Sequence, residues 1–303
     1  MTKAARDPPP ARALRWVETA AGPGARVVRA HRLTGGKSSA VHALDVTLPS
    51  GSTHRLVLRR FVDADWLAQE PDTATHEAAV LHLLAGSNLP TPRLIAADAD
   101  GALAGLPSVL MTRLPGRVQL QTSNPDAWLA PMAALLPQIH VVSPSGLSWA
   151  YSPYTEPRDV EVPAWTSRPD AWHAIVDFAR EPRPPAPIHL IHRDYHPTNI
   201  LWQRGRITGI VDWVNACRGP AGVDIAHCRR NLALLHSVEV ADRLLAFCLE
   251  WGNYNPYWDI VSLLDAEFEA PVYNGWLDLG VMLPATLAHT RLDEYATSLA
   301  SRL

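Results

Sequence analysis

The sequence predicts an α+β protein of two lobes: a small N-terminal antiparallel sheet with one helix, then a larger, mainly helical C-terminal lobe. Three observations carry that expectation. The chain has 303 residues, about twice the ~150 of a typical domain. Residues 1–113 hold short β-branched runs separated by turn clusters, whereas residues 114–303 take up helical apolar spacing. Finally, 47% hydrophobic and 19% charged residues supply a core and exclude disorder. The 27 Lys/Arg and 30 Asp/Glu give a net charge of −3, so no basic field exists to hold nucleic acid. No apolar run reaches the ~18 residues of a membrane span. The polar, Pro-rich N-terminus lacks the apolar stretch of a secretory signal. Cys217, Cys228 and Cys248 are too few and too widely spaced for a disulfide framework or a zinc knuckle. The expectation is a cytoplasmic protein, monomer or homodimer, without membrane or nucleic-acid partners.

In chain order, a loose tail leads into strands at 27–33 and 41–48. These flank Thr34-Gly35-Gly36-Lys37-Ser38-Ser39 and read as a hairpin. A turn at 49–52 precedes a third strand, RLVLRRF at 55–61. From Thr75, the stretch THEAAVLHLLAG places Ala78, Leu81 and Leu84 on one helical face and stops at Gly86. Short strands at 94–96 and 108–111 follow, and Leu114-Pro115-Gly116 breaks the pattern. Residues 126–140 are helical in composition, with Pro131 and Pro137 expected to kink or shorten the helix. Residues 144–187 carry nine prolines and read as irregular with short helices. An apolar run at 188–191 then delivers a polar loop. Runs at 199–202 and 207–211 flank Gln203-Arg204-Gly205-Arg206 as a hairpin, and residues 224–251 are helical.

The polar loop carries the chemistry. His192-Arg193-Asp194-Tyr195-His196-Pro197-Thr198-Asn199 is followed by Asp212, thirteen residues after Asn199. Phosphoryl transfer needs one carboxylate to receive the acceptor's proton, and a side-chain oxygen plus a second carboxylate to hold Mg²⁺ against nucleotide phosphates. Asp194 fits the first role; Asn199 and Asp212 fit the metal-binding ones, Asp212 returning on the far strand of the hairpin.

The string HRDYHPTN resembles the catalytic loop shared by protein kinases and the aminoglycoside phosphotransferase family, and Asp212-Trp213 stands where their metal-binding Asp stands. The resemblance covers most of the chain. Arg59 occupies the third-strand position of the phosphate-pairing Lys, on the same face as Val57. Glu77 matches the Glu that pairs with this cation. Residues 110–116, with Met111, look like the hinge, and Gln138-Ile139-His140 like the end of a family helix. What this implies is a bilobal protein-kinase-like fold using ATP or GTP as co-substrate with Mg²⁺, the nucleotide meeting Gly35, Gly36, Ser38, Arg59, Glu77 and Met111. Two features depart from the pattern. The first loop is TGGKSS rather than GxGxxG, and Arg59 presents a planar fork where protein kinases have the point charge of Lys, a replacement that the phosphotransferase family tolerates. Arg60 is expected to face the other way, at the surface. Arg218 to Asp224 follows Asp212 almost at once without Ala-Pro-Glu, which argues against a protein substrate. Asp224 is read as an N-cap bracing the loop, and His192 as orienting the loop backbone.

Residues 251–303 carry seven acids against Arg291 and Arg302. In the family resembled, the C-terminal lobe builds the acceptor pocket, often with carboxylates. Asp265, Glu267 and His196 are therefore candidate substrate residues, with Trp251, Tyr254, Tyr257, Trp258 and Trp276 as flat faces for sugar or cation contact. The expected activity is O-phosphorylation of a small, cationic, antibiotic-like hydroxyl acceptor, an aminoglycoside or else a macrolide. A metabolic kinase for choline, homoserine, a sugar or a fructosamine stays open. So does a pseudokinase without turnover, which the intact Asp194, Asn199 and Asp212 disfavour.

Overall fold

The computed structural model describes residues 8–33, 39–252, 254–266, 276 and 279–303. It divides into two compact units, Met1–Gly116 with Thr208–Asn215, and Arg117–Ile207 with Ala216–Leu303. The α+β class is as the sequence predicts.

The first unit is built on a five-stranded antiparallel sheet. Strands β1 (Arg26–Arg32), β2 (Ser39–Thr47), β3 (Thr53–Phe61), β4 (Leu94–Asp98) and β5 (Ser108–Thr112) lie in the order β1-β2-β3-β5-β4. Alternation along β3 puts Leu56, Leu58 and Arg60 on one face and Val57 and Arg59 on the other. Helix α1 (Ala11–Ala21) packs on the first face, burying Ala13, Trp16 and Val17 against Leu44, Val46, Leu56, Leu58 and Leu110. Residues 11–21, expected within a loose tail, thus form an ordered layer. Their i, i+3, i+4 apolar spacing is the signal that the tail reading overlooked. The same face explains a second correction. Arg60 is not a surface residue but 9% exposed, since it follows Leu56 and Leu58 onto the covered side.

Two further helices belong to this unit, where one was expected. Helix α2 (Ala64–Gln69) is capped by Asp63, whose side chain accepts from the N–H groups of Asp65 and Trp66. Helix α3 (Thr73–Leu84) buries Glu77, Val80, Leu81 and Leu84.

The second unit is mainly helical. Helix α4 (Pro125–His140) runs unbroken through Pro131 and Pro137. Burial of Trp128, Leu129, Met132, Ala133, Leu135, Leu136 and Ile139 outweighs the backbone bonds those prolines remove. Strand β6 (Arg117–Val118) pairs with β8 (Ile200–Gln203), and β7 (His189–Ile191) with β10 (Cys217–Gly219). Between β8 and β9 (Arg206–Ile210), Arg204 and Gly205 both take positive φ, 51° and 73°. That is the turn whose twist suits a two-residue hairpin. Helices α5 (Pro169–Ala179), α6 (Gly222–Leu235), α7 (Val238–Leu249), α8 (Tyr257–Leu264) and α9 (Ala285–Ala300) complete it. Ile191, Cys217, Val223, Ala226, Tyr257, Trp258 and Val261 form one apolar cluster that joins β7 and β10 to α6 and α8. Gly222 lets α6 begin against the Trp258 indole, in space that a Cβ would occupy. The three cysteines are buried and free. Among the described residues no helix is long and apolar enough to cross a membrane.

Candidate active site

In the second unit, β7 delivers the chain into the loop 192–199. Arg193 takes φ 67° there, a conformation that non-glycine residues adopt at a cost. Asp224 holds it. This fully buried carboxylate accepts the His192 N–H at 3.0 Å on Oδ2 and the Arg193 N–H at 2.7 Å on Oδ1. His140 Nε2 lies 3.0 Å from Oδ2, so α4 is tied to the same anchor. Asp224 does brace the loop, but from inside the first turn of α6, where the N-cap is Ala221. The loop's other end is fixed by Tyr195, whose hydroxyl donates to Met132 O at 2.8 Å.

Asp194 follows this anchored corner with its side chain 29% exposed, enough to meet a solute. Asn199 Nδ2 donates to Asp194 Oδ2 and to its backbone carbonyl, both at 2.9 Å. His196 Nε2 and His227 Nε2 lie 3.3 and 3.0 Å from Oδ1. Burial alone would raise the Asp194 pKa. The charge and hydrogen bond of His196, with the hydrogen bond of His227, outweigh it and hold the group well below the usual carboxylate range. It is therefore an ionised hydrogen-bond acceptor at neutral pH.

In the first unit, Arg59 on β3 is the centre of a buried ion cluster. Its Nη1 donates to Glu77 Oε1 at 2.7 Å, its Nη2 to Asp212 Oδ1 at 2.5 Å, and its Nε to Ser39 Oγ at 3.1 Å. Glu77 arrives from α3. Asp212 arrives by β9, after Thr208 Oγ1 donates to Pro115 O and Ile210 N to Pro90 O. Against the cost of burial, Asp212 and Glu77 raise the Arg59 pKa further, so its charge is permanent. Glu77 is pushed up by burial and pulled back by Arg59. Asp212, like Arg193, is left-handed, at φ 68°. Aspartate tolerates that region better than most residues.

Both proposed metal ligands fit a hard cation, which binds oxygen. Asn199 commits its nitrogen to Asp194, so its amide oxygen is identified by chemistry and is uncommitted among the described residues. Asp212 commits Oδ1 to Arg59 and leaves Oδ2, on a side chain 32% exposed.

The other expected residues fall out unevenly. Gly35, Gly36, Ser38 and Glu267 lie outside the described residues. Met111 is buried in β5, paired with Val57 and Leu94. His196 is 8% exposed, with Nδ1 3.0 Å from Thr198 Oγ1. Asp265 ends α8, and its Oδ1 accepts the Thr155 N–H at 2.9 Å. Tyr257, Trp258 and Trp276 are buried, and Tyr257 and Trp258 belong to the apolar cluster rather than to an open aromatic face. Sequence reasoning missed Ser39, and it missed His227. The spacing of His227, three residues after Asp224 on one helix, was the available signal.

The sequence signature of the phosphotransferase enzyme family matches residues 29–264. The chain belongs to this family. Homoserine kinase of Mesorhizobium japonicum is 27% identical over 148 residues, a match spanning 42% of each chain. Among phosphotransferases of known structure, a thermostable mutant of aminoglycoside phosphotransferase APH(4)-Ia, in ternary complex with AMP-PNP and hygromycin B, is 20% identical. That match covers 94% of this chain and 98% of the other at a TM-score of 0.65. The macrolide 2'-phosphotransferase MphH of Brachybacterium faecium is 17% identical over 95% and 98% of the two chains at a TM-score of 0.57. At such identities these structures establish the fold, the one the sequence resemblance implied.

Proposed function

We propose that this family member is a small-molecule O-phosphotransferase that moves the γ-phosphate of ATP or GTP to a hydroxyl of an aminoglycoside-like or macrolide-like acceptor. The observation that carries the reading is Asp194, a half-buried, ionised carboxylate fixed by three side chains on a loop that also presents the Asn199 oxygen. Asp194 orients the acceptor hydroxyl. It takes up the proton as the new O–P bond forms and the bond to the nucleoside diphosphate breaks. A carboxylate of low pKa suits this role, because phosphoryl transfer is loose and the proton leaves late. Asn199 and Asp212 would hold Mg²⁺, which when bound neutralises charge on the phosphates. Arg59 keeps two of its five N–H groups beyond its protein partners to meet the α/β phosphates, with Glu77 fixing its orientation. Gly35, Gly36 and Ser38 are assigned to the phosphates and Met111 to the base.

A second reading, a homoserine-type metabolic kinase, has its own support. One support is the match to the Mesorhizobium enzyme. The other is the fate of the acidic segment. Asp259 pairs with Arg229, Asp293 accepts four hydrogen bonds and Asp265 holds Thr155. Those charges are internal ties, which weakens the argument for a polycationic acceptor. Asp265, Glu267 and His196 are assigned to the acceptor.

The test is nucleoside-diphosphate release from Mg-ATP and Mg-GTP over a panel of hygromycin B, other aminoglycosides, erythromycin, choline, L-homoserine and sugars. Turnover on an antibiotic and not on L-homoserine or choline supports the first reading, and the reverse supports the second. Asp194→Ala should abolish turnover while nucleotide affinity stays within a few-fold. Retained turnover would make the assigned base wrong.

A further inference from the structure

We propose that His227 is a positioning residue for Asp194, accepting a hydrogen bond from Arg230 on Nδ1 and donating its Nε2–H to Asp194 Oδ1. The consequence for catalysis rests on the phosphotransferase reading; the hydrogen-bond chain rests on geometry alone. Arg230 Nη2 lies 3.2 Å from His227 Nδ1. A guanidinium can only donate, so Nδ1 carries a lone pair and the ring's single proton sits on Nε2. That atom is 3.0 Å from Asp194 Oδ1. Arg230 is itself fixed, its Nη1 donating to Ser262 O at 2.6 Å. Burial, and next the Arg230 charge, push the His227 pKa down to about 4 against the pull of Asp194, which agrees with a neutral ring.

One helix thus sets both parts of the loop. Asp224 in the first turn of α6 holds the backbone of His192 and Arg193, and His227, three residues on, holds the Asp194 carboxylate. With Asn199 on Oδ2 and His227 on Oδ1, rotation of the carboxylate breaks a bond at either oxygen. The remaining lone pairs keep one direction for the acceptor hydroxyl.

Asp194, His196 and His227 also have ligand atoms close enough together to hold a metal ion. Arg230 argues against that use. A metal on Nε2 moves the ring proton to Nδ1 and sets it against a guanidinium N–H, two donors facing each other.

The experiment uses the full chain, ¹⁵N-labelled, with His227→Leu to assign the ring signals. Long-range ¹H–¹⁵N correlation at neutral pH should show His227 as the neutral Nε2–H tautomer. An Nδ1–H tautomer or an imidazolium overturns the proposal. So does a stoichiometric shift of both His196 and His227 on titration with zinc, which would make the cluster a metal site. In kinetics with hygromycin B, erythromycin or L-homoserine, whichever the wild type phosphorylates, His227→Leu should lower kcat about 10- to 100-fold with KM for ATP within twofold. His227→Gln, whose amide N–H replaces Nε2–H, should recover most of that loss. Equal kcat in wild type and His227→Leu overturns the positioning role. Failure of the wild type on every acceptor would count against the phosphotransferase reading, and the tautomer would still decide the hydrogen-bond chain.

Discussion

Arg59 shows how much one side chain can be asked to do. Glu77 is 1% exposed, and its charge is sustained by a guanidinium that serves Asp212 at the same time. A planar guanidinium presents separate, fixed N–H groups to the two carboxylates, a spread that the compact ammonium of lysine lacks. Arg59→Met should therefore lower stability by about 3–5 kcal/mol, the usual result of removing one partner from a buried pair. Chemical denaturation, compared with Glu77→Gln, checks it. Asp212 gives a cleaner test of the proposed metal role, because its backbone is left-handed. Asp212→Gly keeps that conformation without strain and deletes only the carboxylate. We expect Mg-nucleotide affinity to fall at least about tenfold, which is ~1.4 kcal/mol. Calorimetry with Mg-AMP-PNP measures it, and unchanged affinity refutes the metal assignment. The residues proposed to carry the chemistry were legible in the sequence, Asp194, Asn199 and Asp212 through the needs of phosphoryl transfer and Arg59 and Glu77 through the family resemblance. Their partners were not. Ser39, His227 and Arg230 are ordinary polar residues whose meaning comes from what lies a few ångströms away.

At the scale of elements, the sequence predicted strands well and underestimated helices. β2, β3 and β5 are short runs rich in apolar residues between turn clusters, a local signal that survives folding. Helix α1 was hidden by the surrounding Pro and Arg, whereas α4 was expected over 126–140 and only the kink or shortening at its prolines is overturned. In both, tertiary burial decided: an apolar stripe finds a sheet face in one case and neighbouring helices in the other. The join between α5 and α9 is another element that local pattern could not reveal. Asp293 on α9 accepts from Trp172 Nε1 at 2.8 Å, Thr166 Oγ1 at 2.5 Å, and Ser167 N and Oγ at 2.9 and 2.8 Å. Burial opposes the charge, but these four donors prevail and the carboxyl is held below its usual range. The unfolded chain, with an ordinary value of about 3.9, then binds the proton more readily than the folded one. The stabilisation is full above about pH 5 and declines as pH falls through that value. Asp293→Asn should cost about 1–3 kcal/mol at pH 7, narrowing at pH 3, as urea midpoints of both proteins would record.

At the scale of the whole molecule, the chain is not split once but crosses between two units, since residues 208–215 belong with the first. The excursion is what carries Asp212 to Arg59. A ligand held by the folded protein stabilises it by mass action, by about 2.7 kcal/mol at a hundred times its dissociation constant. Mg-AMP-PNP should therefore raise the melting temperature by several degrees, and EDTA should remove most of the shift while leaving the apo value unchanged. A shift indifferent to EDTA would count against metal-assisted nucleotide binding.

The sequence by itself determined the fold class and the strand order through residue 61 and put forward the side chains proposed to react, because short apolar runs, turn chemistry and the residue types that phosphoryl transfer needs are all local signals. Only the tertiary structure decided that the N-terminal residues form a helical layer and that Arg60 is buried. It also decided that Asp224 works from within a helix, that much of the acidic C-terminal charge is spent on internal ties, and that His227 reaches Asp194. These depend on which surfaces meet, and that is fixed by burying apolar area and pairing every buried charge, sums taken over the folded chain rather than over any stretch of it.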